Sequence, residues 1–264
     1  MLHRIPFIKT PPRVSVVRLT GMIANGSRAL NDQNVAPLIE AAFTKGKPTA
    51  VALVINSPGG SPVQSSLIGA RIRRLSEEKG IPVHAFVEDV AASGGYWLAC
   101  AADDIWVDNC SVVGSIGVIS AGFGAHVFLS RQGIERRVHT AGKSKSMMDP
   151  FKPETPEDVA RLDSILNQIH GSFIDHVKSR RGGKLADNPD LFTGEVWIGP
   201  RAAEVGLVDG IGHLRPKLKE IYGEKVKLIP YSRRRGLFGR FGAELASDAL
   251  AGIEERAAFA RFGL

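Results

Sequence analysis

Cysteine, tryptophan and tyrosine are scarce in this chain, whose 264 residues hold two Cys, three Trp and three Tyr. Cys100 and Cys110 have neither the number nor the spacing of a disulfide scaffold or a zinc site. Both are therefore expected as small apolar residues in packing, and no metal or cofactor is implied. Long apolar runs are missing too. Residues 48–70 and 109–130 carry no charge, but the first contains Pro58-Gly59-Gly60 and the second four glycines and His126. Such stretches suit buried globular chain, not a transmembrane helix. The apolar patch at residues 5–8 is too short for a signal-peptide core and is broken by Pro6. The mature protein is thus expected to start near Met1 and to be cytoplasmic.

The charge balance leans one way, with a formal net charge of +7. Aromatic residues are 7% of the chain and do not alternate with the basic ones, and no nucleic-acid motif accompanies the charge. A nucleic-acid partner is therefore not expected. A solvated basic surface is, with peripheral contact to the inner face of a membrane as the anionic partner that the charge permits.

What is present is an alternation of short β-branched runs and helical patterns. Residues 14–19 read as a strand, and Asn31-Asp32 opens a helix through Ala36, Ile39, Ala42 and Phe43. A second strand, residues 50–55, stops at Asn56-Ser57-Pro58-Gly59-Gly60. Val63, Leu67, Ile68, Ile72 and Leu75 then recur at helical spacing up to Lys79-Gly80. Residues 83–87 lead into Ala91-Ala92-Ser93-Gly94-Gly95 and a short helix near residues 96–102, followed by a strand at 105–107. This rhythm predicts an α/β fold with a mostly parallel sheet and outer helices. Thr155-Pro156-Glu157-Asp158 starts a long helix whose apolar stripe runs from Val159 to Val177 and stops at Arg180-Arg181-Gly182. Short strands are expected at 196–198, 205–208 and 226–229. The expected organisation is an irregular segment over residues 1–13, one domain over 14–232, and a basic amphipathic tail over 233–264.

Ser93 follows a strand and precedes a helix, where backbone N–H groups are free and partial positive charge can meet an oxyanion. Gly59 and Gly60 sit at a second strand-to-helix turn, and their amides are candidates for the other half of the same hole. A serine hydroxyl needs a base. Histidine is the usual one, and His126 and His139 follow Ser93 at suitable distances, although neither lies in a recognisable catalytic context.

Three segments, Asn56-Ser57-Pro58-Gly59-Gly60, Ala92-Ser93-Gly94-Gly95-Tyr96-Trp97 and Gly114-Ser115-Ile116-Gly117-Val118, resemble successive motifs of peptidase family S49, in that family's order. The resemblance spans about residues 14–229. It implies the crotonase-like fold also used by the Clp peptidase, and a serine endopeptidase with Ser93 as nucleophile. Gly60 and Gly94 would form the oxyanion hole, and Gly59 and Ser115 would border bound substrate. Residues 142–150 resemble the segment that carries the family's lysine base, which places Lys145 in that role, with Lys143 as the competing position. A lysine serves as a base only where burial suppresses its charged form. Met147, Met148 and Phe151 are the residues expected to supply that dryness. The resemblance further implies peptide or unfolded-protein substrates, signal-peptide remnants among them. It also implies a homo-oligomer whose serine and lysine meet across a subunit boundary. Two other readings compete: a crotonase-type acyl-CoA enzyme using the same glycine amides, and a non-catalytic scaffold at the membrane.

Overall fold

The computed structural model describes residues 10–26, 29–232, 252 and 255–264. The expected irregular start lies mostly outside the described residues, as do Arg233-Arg234-Arg235 and most of the apolar positions of the tail. The described chain divides into two compact units, one of residues up to Ile116 and from Ile174 onward, the other Gly117–Phe173.

The first unit is a mostly parallel α/β structure. In chain order it runs β1 (Arg13–Thr20), α1 (Asp32–Thr44), β2 (Ala50–Ser57), α2 (Pro62–Lys79), β3 (Val83–Ala92), α3 (Gly94–Ala99), β4 (Asp104–Val107) and β5 (Val112–Gly114). The second unit carries α4 (His126–Arg131) and most of α5 (Pro156–Arg181). The chain continues with β6 (Val196–Ile198), α6 (Gly199–Glu204), β7 (Gly210–Ile211), α7 (Leu214–Tyr222) and β8 (Lys227–Tyr231). The strands form one sheet in the order β6-β5-β3-β2-β1-β8, with β4 pairing β3 and β7, and β6 is its antiparallel member.

The local chemistry explains the boundaries. Asn31 caps α1 by accepting the Asn34 N–H at 2.9 Å, and its own amide donates to the Gly26 carbonyl. Ser61 caps α2, Pro62 occupies its first turn, and Gly80 ends it at φ 61°, a left-handed position that glycine fills without a Cβ clash. The runs in β2 and β3, and residues 14–17 of β1, are buried almost throughout, as strands of a parallel sheet covered on both faces must be. On one face Val14, Val16, Ala52, Val54 and Phe86 cluster with Leu218 of α7.

Three expectations need correction. Residues 205–208 are a turn after α6, not a strand. Their carbonyls find partners outside a ladder: Tyr96 Oη donates to Leu207 O, Arg181 donates to Gly206 O, and the Ala186 N–H donates to Val205 O. Leu207 and Val208 are apolar because they are packed. Second, residues 109–130 are buried only as far as Ile116, and within residues 117–173 Phe173 alone is buried. The stripe of α5 divides accordingly, with Phe173 and Val177 buried and Val159 and Ile165 exposed. Third, Cys110 is exposed, in a turn where its N–H donates to Asp108, and only Cys100 is buried.

The end of α5 is fastened by charge. The buried Arg181 donates to Asp209 at 2.6 Å, and Asp209 also receives Lys184 and the Ile105 N–H. Burial raises the Asp209 carboxyl, but the bonds from Lys184 and Arg181 outweigh it and hold the group below its ordinary value. A group so depressed adds stability that is present above the unfolded carboxylate range and lost as pH falls through the folded value. Asp209→Ala leaves Arg181 buried without its counter-ion. It is expected to lower the unfolding free energy in urea by about 3–5 kcal/mol. The wild-type advantage over this variant should shrink below about pH 4. A variant as stable as wild type at neutral pH would contradict this account.

Candidate active site

The site is built where β2 and β3 end side by side. Their parallel register pairs Ile55 with Val87 but Ser57 with Ala91, so β3 carries two extra residues before its end. Beyond it Ser93 adopts φ 51° and ψ −122°, a sparsely populated conformation for a residue with a Cβ. Its N–H donates to Gly114 O at 2.8 Å, and its carbonyl accepts the N–H groups of Tyr96 and Trp97. Both turns of the backbone are thus pinned, and the half-buried Ser93 hydroxyl has no hydrogen-bond partner among the described residues.

The Gly59-Gly60 turn meets this serine directly. A Cβ on Gly59, at φ 98°, would lie 2.7 Å from Ala92 O and 2.8 Å from both Gly94 N and Ser93 Cβ. A Cβ on Gly94 would lie 3.4 Å from Gly60 N. The two glycine turns therefore converge, and neither the Gly60 nor the Gly94 N–H has an acceptor among the described residues. Two unpaired donors beside one hydroxyl can stabilise a negative oxygen that forms there. Ser115, also in a left-handed conformation at φ 50°, follows Gly114 at the end of the adjacent β5.

Several supporting contacts carried no signal in the sequence. The buried Ser57 donates to Gly21 O at 2.7 Å and accepts the Gly59 N–H, which ties β1 to the glycine turn. Ser65, also buried, donates to Ser61 O. His176 stacks on Trp97 with ring centroids 4.4 Å apart and interplanar angle 8°, and bonds Trp97 O. Burial lowers the pKa of this histidine, which suits a neutral imidazole donating one N–H. These contacts join residues distant in the chain, so no local motif reports them. Cys100, which directly follows α3, is no rival nucleophile, because burial pushes its thiol up to about 12.

Lys145 belongs to the second unit, as do Lys143, His126 and His139. Lys145 lies in a turn in which its N–H donates to Gly142 O, and its side chain is exposed without a partner among the described residues. Lys143 is ion-paired with Glu157 at 3.0 Å. The Arg136 guanidinium lies 4.8 Å over the Phe151 ring. Met147 and Met148 are half-buried.

Gly59→Ala forces a Cβ into backbone atoms, whereas Gly80→Ala meets open space. The first is expected to cost about 2 kcal/mol or more and to slow labelling of Ser93 by a fluorophosphonate. The second should cost about 1 kcal/mol and leave labelling unchanged. Equal labelling of both variants would show that the contact between the turns does not shape the site.

A family model described as peptidase family S49 matches residues 76–225. The chain is 48% identical over 271 residues to a Brucella abortus (strain 2308) protein named Na(+)/H(+) antiporter NhaA, a match covering 95% of this chain and 37% of that protein. It is 31% identical over 195 residues to a putative protease, MJ0651, of Methanocaldococcus jannaschii, covering 72% of this chain and 62% of that one. The chain thus spans about a third of the first relative's length and under two thirds of the second's. A mutant of the 1510-N membrane-bound stomatin-specific protease, solved with a substrate peptide, has the same fold. The two are 16% identical with a TM-score of 0.55 over 91% of this chain and 99% of that one.

Proposed function

The chain belongs to peptidase family S49, and from that premise we propose that it is a serine endopeptidase acting through Ser93 and Lys145 on apolar or unfolded peptide segments. The observation that carries the reading is the convergence of the Gly60 and Gly94 amides on a serine held in a strained conformation, its half-buried hydroxyl without a partner among the described residues. Such strain costs about 1–3 kcal/mol, and nothing in the packing of a plain turn would require it.

In this mechanism the neutral amine of Lys145 takes the Ser93 proton as Oγ attacks the peptide carbonyl carbon. The carbonyl oxygen, now negative, accepts from the Gly60 and Gly94 N–H groups. Collapse expels the amine, which takes the proton from Lys145, and water then hydrolyses the acyl-serine by the same route. Loss of one such donor costs on the order of 10²–10³ in kcat. A crotonase-type enzyme would need the amides but not the strained serine, and a scaffold would need neither.

The base is proposed to come from a neighbouring copy. Lys145 is exposed in the single chain, and the unit that carries it buries almost nothing of its own. Phe123, Phe128 and Ile119 of that unit are more than half exposed. Association of copies would cover these residues and supply the dry surroundings that a lysine base requires. Between the two candidate lysines, the Glu157 partner of Lys143 favours Lys145.

Ser93→Ala is expected to lower kcat on a denatured-protein substrate on the order of 10⁴-fold or more with the thermal midpoint unchanged, because it removes one hydroxyl and no core volume. Lys145→Ala should be equally inactive and Lys143→Ala active; the reverse would move the base by two residues. Ser93→Ala and Lys145→Ala subunits, dissociated and reassembled together, should recover about a quarter of the active sites under random pairing around a ring. Exchanged rings without activity would place both residues of the dyad in one chain.

A further inference from the structure

The described end of the chain lies on the active-site end of the sheet. Residues 255–260 are helical, and the turn that follows is closed by the Phe262 and Leu264 N–H groups donating to Phe259 O. Phe259 and Phe262 pack on Val90 and Ala92 of β3 and Val112 of β5. Ala92 is the residue before Ser93. At the other end of the helix the Glu255 carboxylate sits over Gly21, where a Cβ would come within 2.6 Å of Oε1. Gly21 directly follows β1 and bonds Ser57 and Asn56 at the end of β2. Leu264 reaches a cavity of about 520 Å³ that Arg18, Glu88, Asp108 and His213 also line. The segment therefore contacts Gly21 just beyond β1, the last residues of β3 and the first residue of β5. Gly21 is bonded to the end of β2, from which the Gly59-Gly60 turn departs, and Ala92 ends β3, from which the Ser93-Gly94 turn departs.

We propose that residues 255–264 dock in cis on the apolar face formed by Val90, Ala92 and Val112 and restrict access of peptides to Ser93. The proposal rests on the peptidase reading of that site. Three observations carry it. The segment, Glu255-Arg256-Ala257-Ala258-Phe259-Ala260-Arg261-Phe262-Gly263-Leu264, is an amphipathic peptide with two aromatic anchors, whose apolar side chains are of the class that the proposed substrates would present. It is held as a helix, which spends its own carbonyls internally and offers no extended backbone for cleavage. Its grip is partial: Phe259 and Phe262 are half-buried and Leu264 is exposed, whereas Leu218 of α7 on the same face is fully buried. A contact of that kind closes a site and can still be displaced.

The test uses the full chain. Phe259→Ala/Phe262→Ala should keep the wild-type circular dichroism and thermal midpoint while its kcat/KM on a fluorogenic peptide rises roughly tenfold, the factor given by about 1.4 kcal/mol of docking free energy. Phe262→Ala alone removes less apolar surface and should shift the rate in the same direction, which keeps the test valid if the double variant does not fold. A synthetic peptide of residues 255–264, labelled with a fluorophore, should bind the double variant by anisotropy and return its rate toward wild type. The same peptide with both phenylalanines replaced by alanine should do neither. A folded double variant that cleaves at the wild-type rate and does not bind the peptide overturns the docking and leaves the peptidase reading standing. Peptide binding without cleavage by any form overturns the peptidase reading and leaves the docking. Wild-type inhibition that deepens with protein concentration assigns the segment to a neighbouring copy and overturns docking in cis.

Discussion

Gly59 lies against the Ala92-Ser93-Gly94 backbone at a distance that leaves no room for a side chain, and the geometry of the site follows from that contact. The parallel pairing of β2 with β3 brings the two turns to one end of the sheet, and the two-residue shift before Ser57 extends β3 far enough to meet the glycines. Gly95 repeats the constraint from the other side, since a Cβ there would lie 2.4 Å from Ser57 O. Backbones packed this closely leave N–H groups that cannot reach an internal acceptor. At the buried Gly94 an amide left unpaired costs about 1–3 kcal/mol, so the arrangement persists only because the elements around it are well packed. Tyr96, Leu98 and Ala99 of α3 are buried, and Tyr96 and Trp97 are further held by Leu207 and His176.

The second unit has the opposite character. Residues 117–173 bury one side chain between them, and the ion pairs of Arg136 with Asp149 and of Lys143 with Glu157 each involve at least one exposed side chain. Exposed pairs contribute about 0–1 kcal/mol each, which does not offset the conformational entropy of ordering a segment of this length. The rigid unit thus carries the strained serine and the amides, and the unit without a core carries the lysine. This division gives association of copies a physical purpose in the proposed mechanism, because the surface that lacks burial is the one that must become dry.

Much of the fold was legible because its signals are local. The capping asparagine before α1, the Ser61-Pro62 start and Gly80 end of α2, and the Thr155-Pro156 start of α5 all act within one turn of the helix they bound. The buried runs of β2 and β3 are nearly continuous, as parallel strands require. Residues 205–208 misled because apolar side chains mark burial and not pairing; the Leu207 and Gly206 carbonyls are satisfied by Tyr96 and Arg181, partners far away in the chain. The glycine-rich residues 117–130 misled for a related reason, since a lack of charge says nothing about which surface covers a segment. At the site, Ser93 and the four glycines were readable as motifs, but the Ser57 bond to Gly21 and the stacking of His176 on Trp97 were not, because each joins elements that only the tertiary fold brings together.

The choice of base shows what geometry adds to a motif. Apart from the family motif, which favours Lys145, the sequence offers Lys143 and Lys145 as similar cations two residues apart in one segment. In the folded chain they differ: Lys143 is already committed to Glu157, while Lys145 has no partner among the described residues. A general base must lose its charge without a carboxylate nearby to retain it, and must do so away from water. The unpartnered lysine meets the first condition in the single chain and not the second. An isolated chain therefore holds a presented serine and two free amides but no dry amine, and in the proposed scheme assembly and activation become one event, because the contact that buries the second unit also completes the dyad.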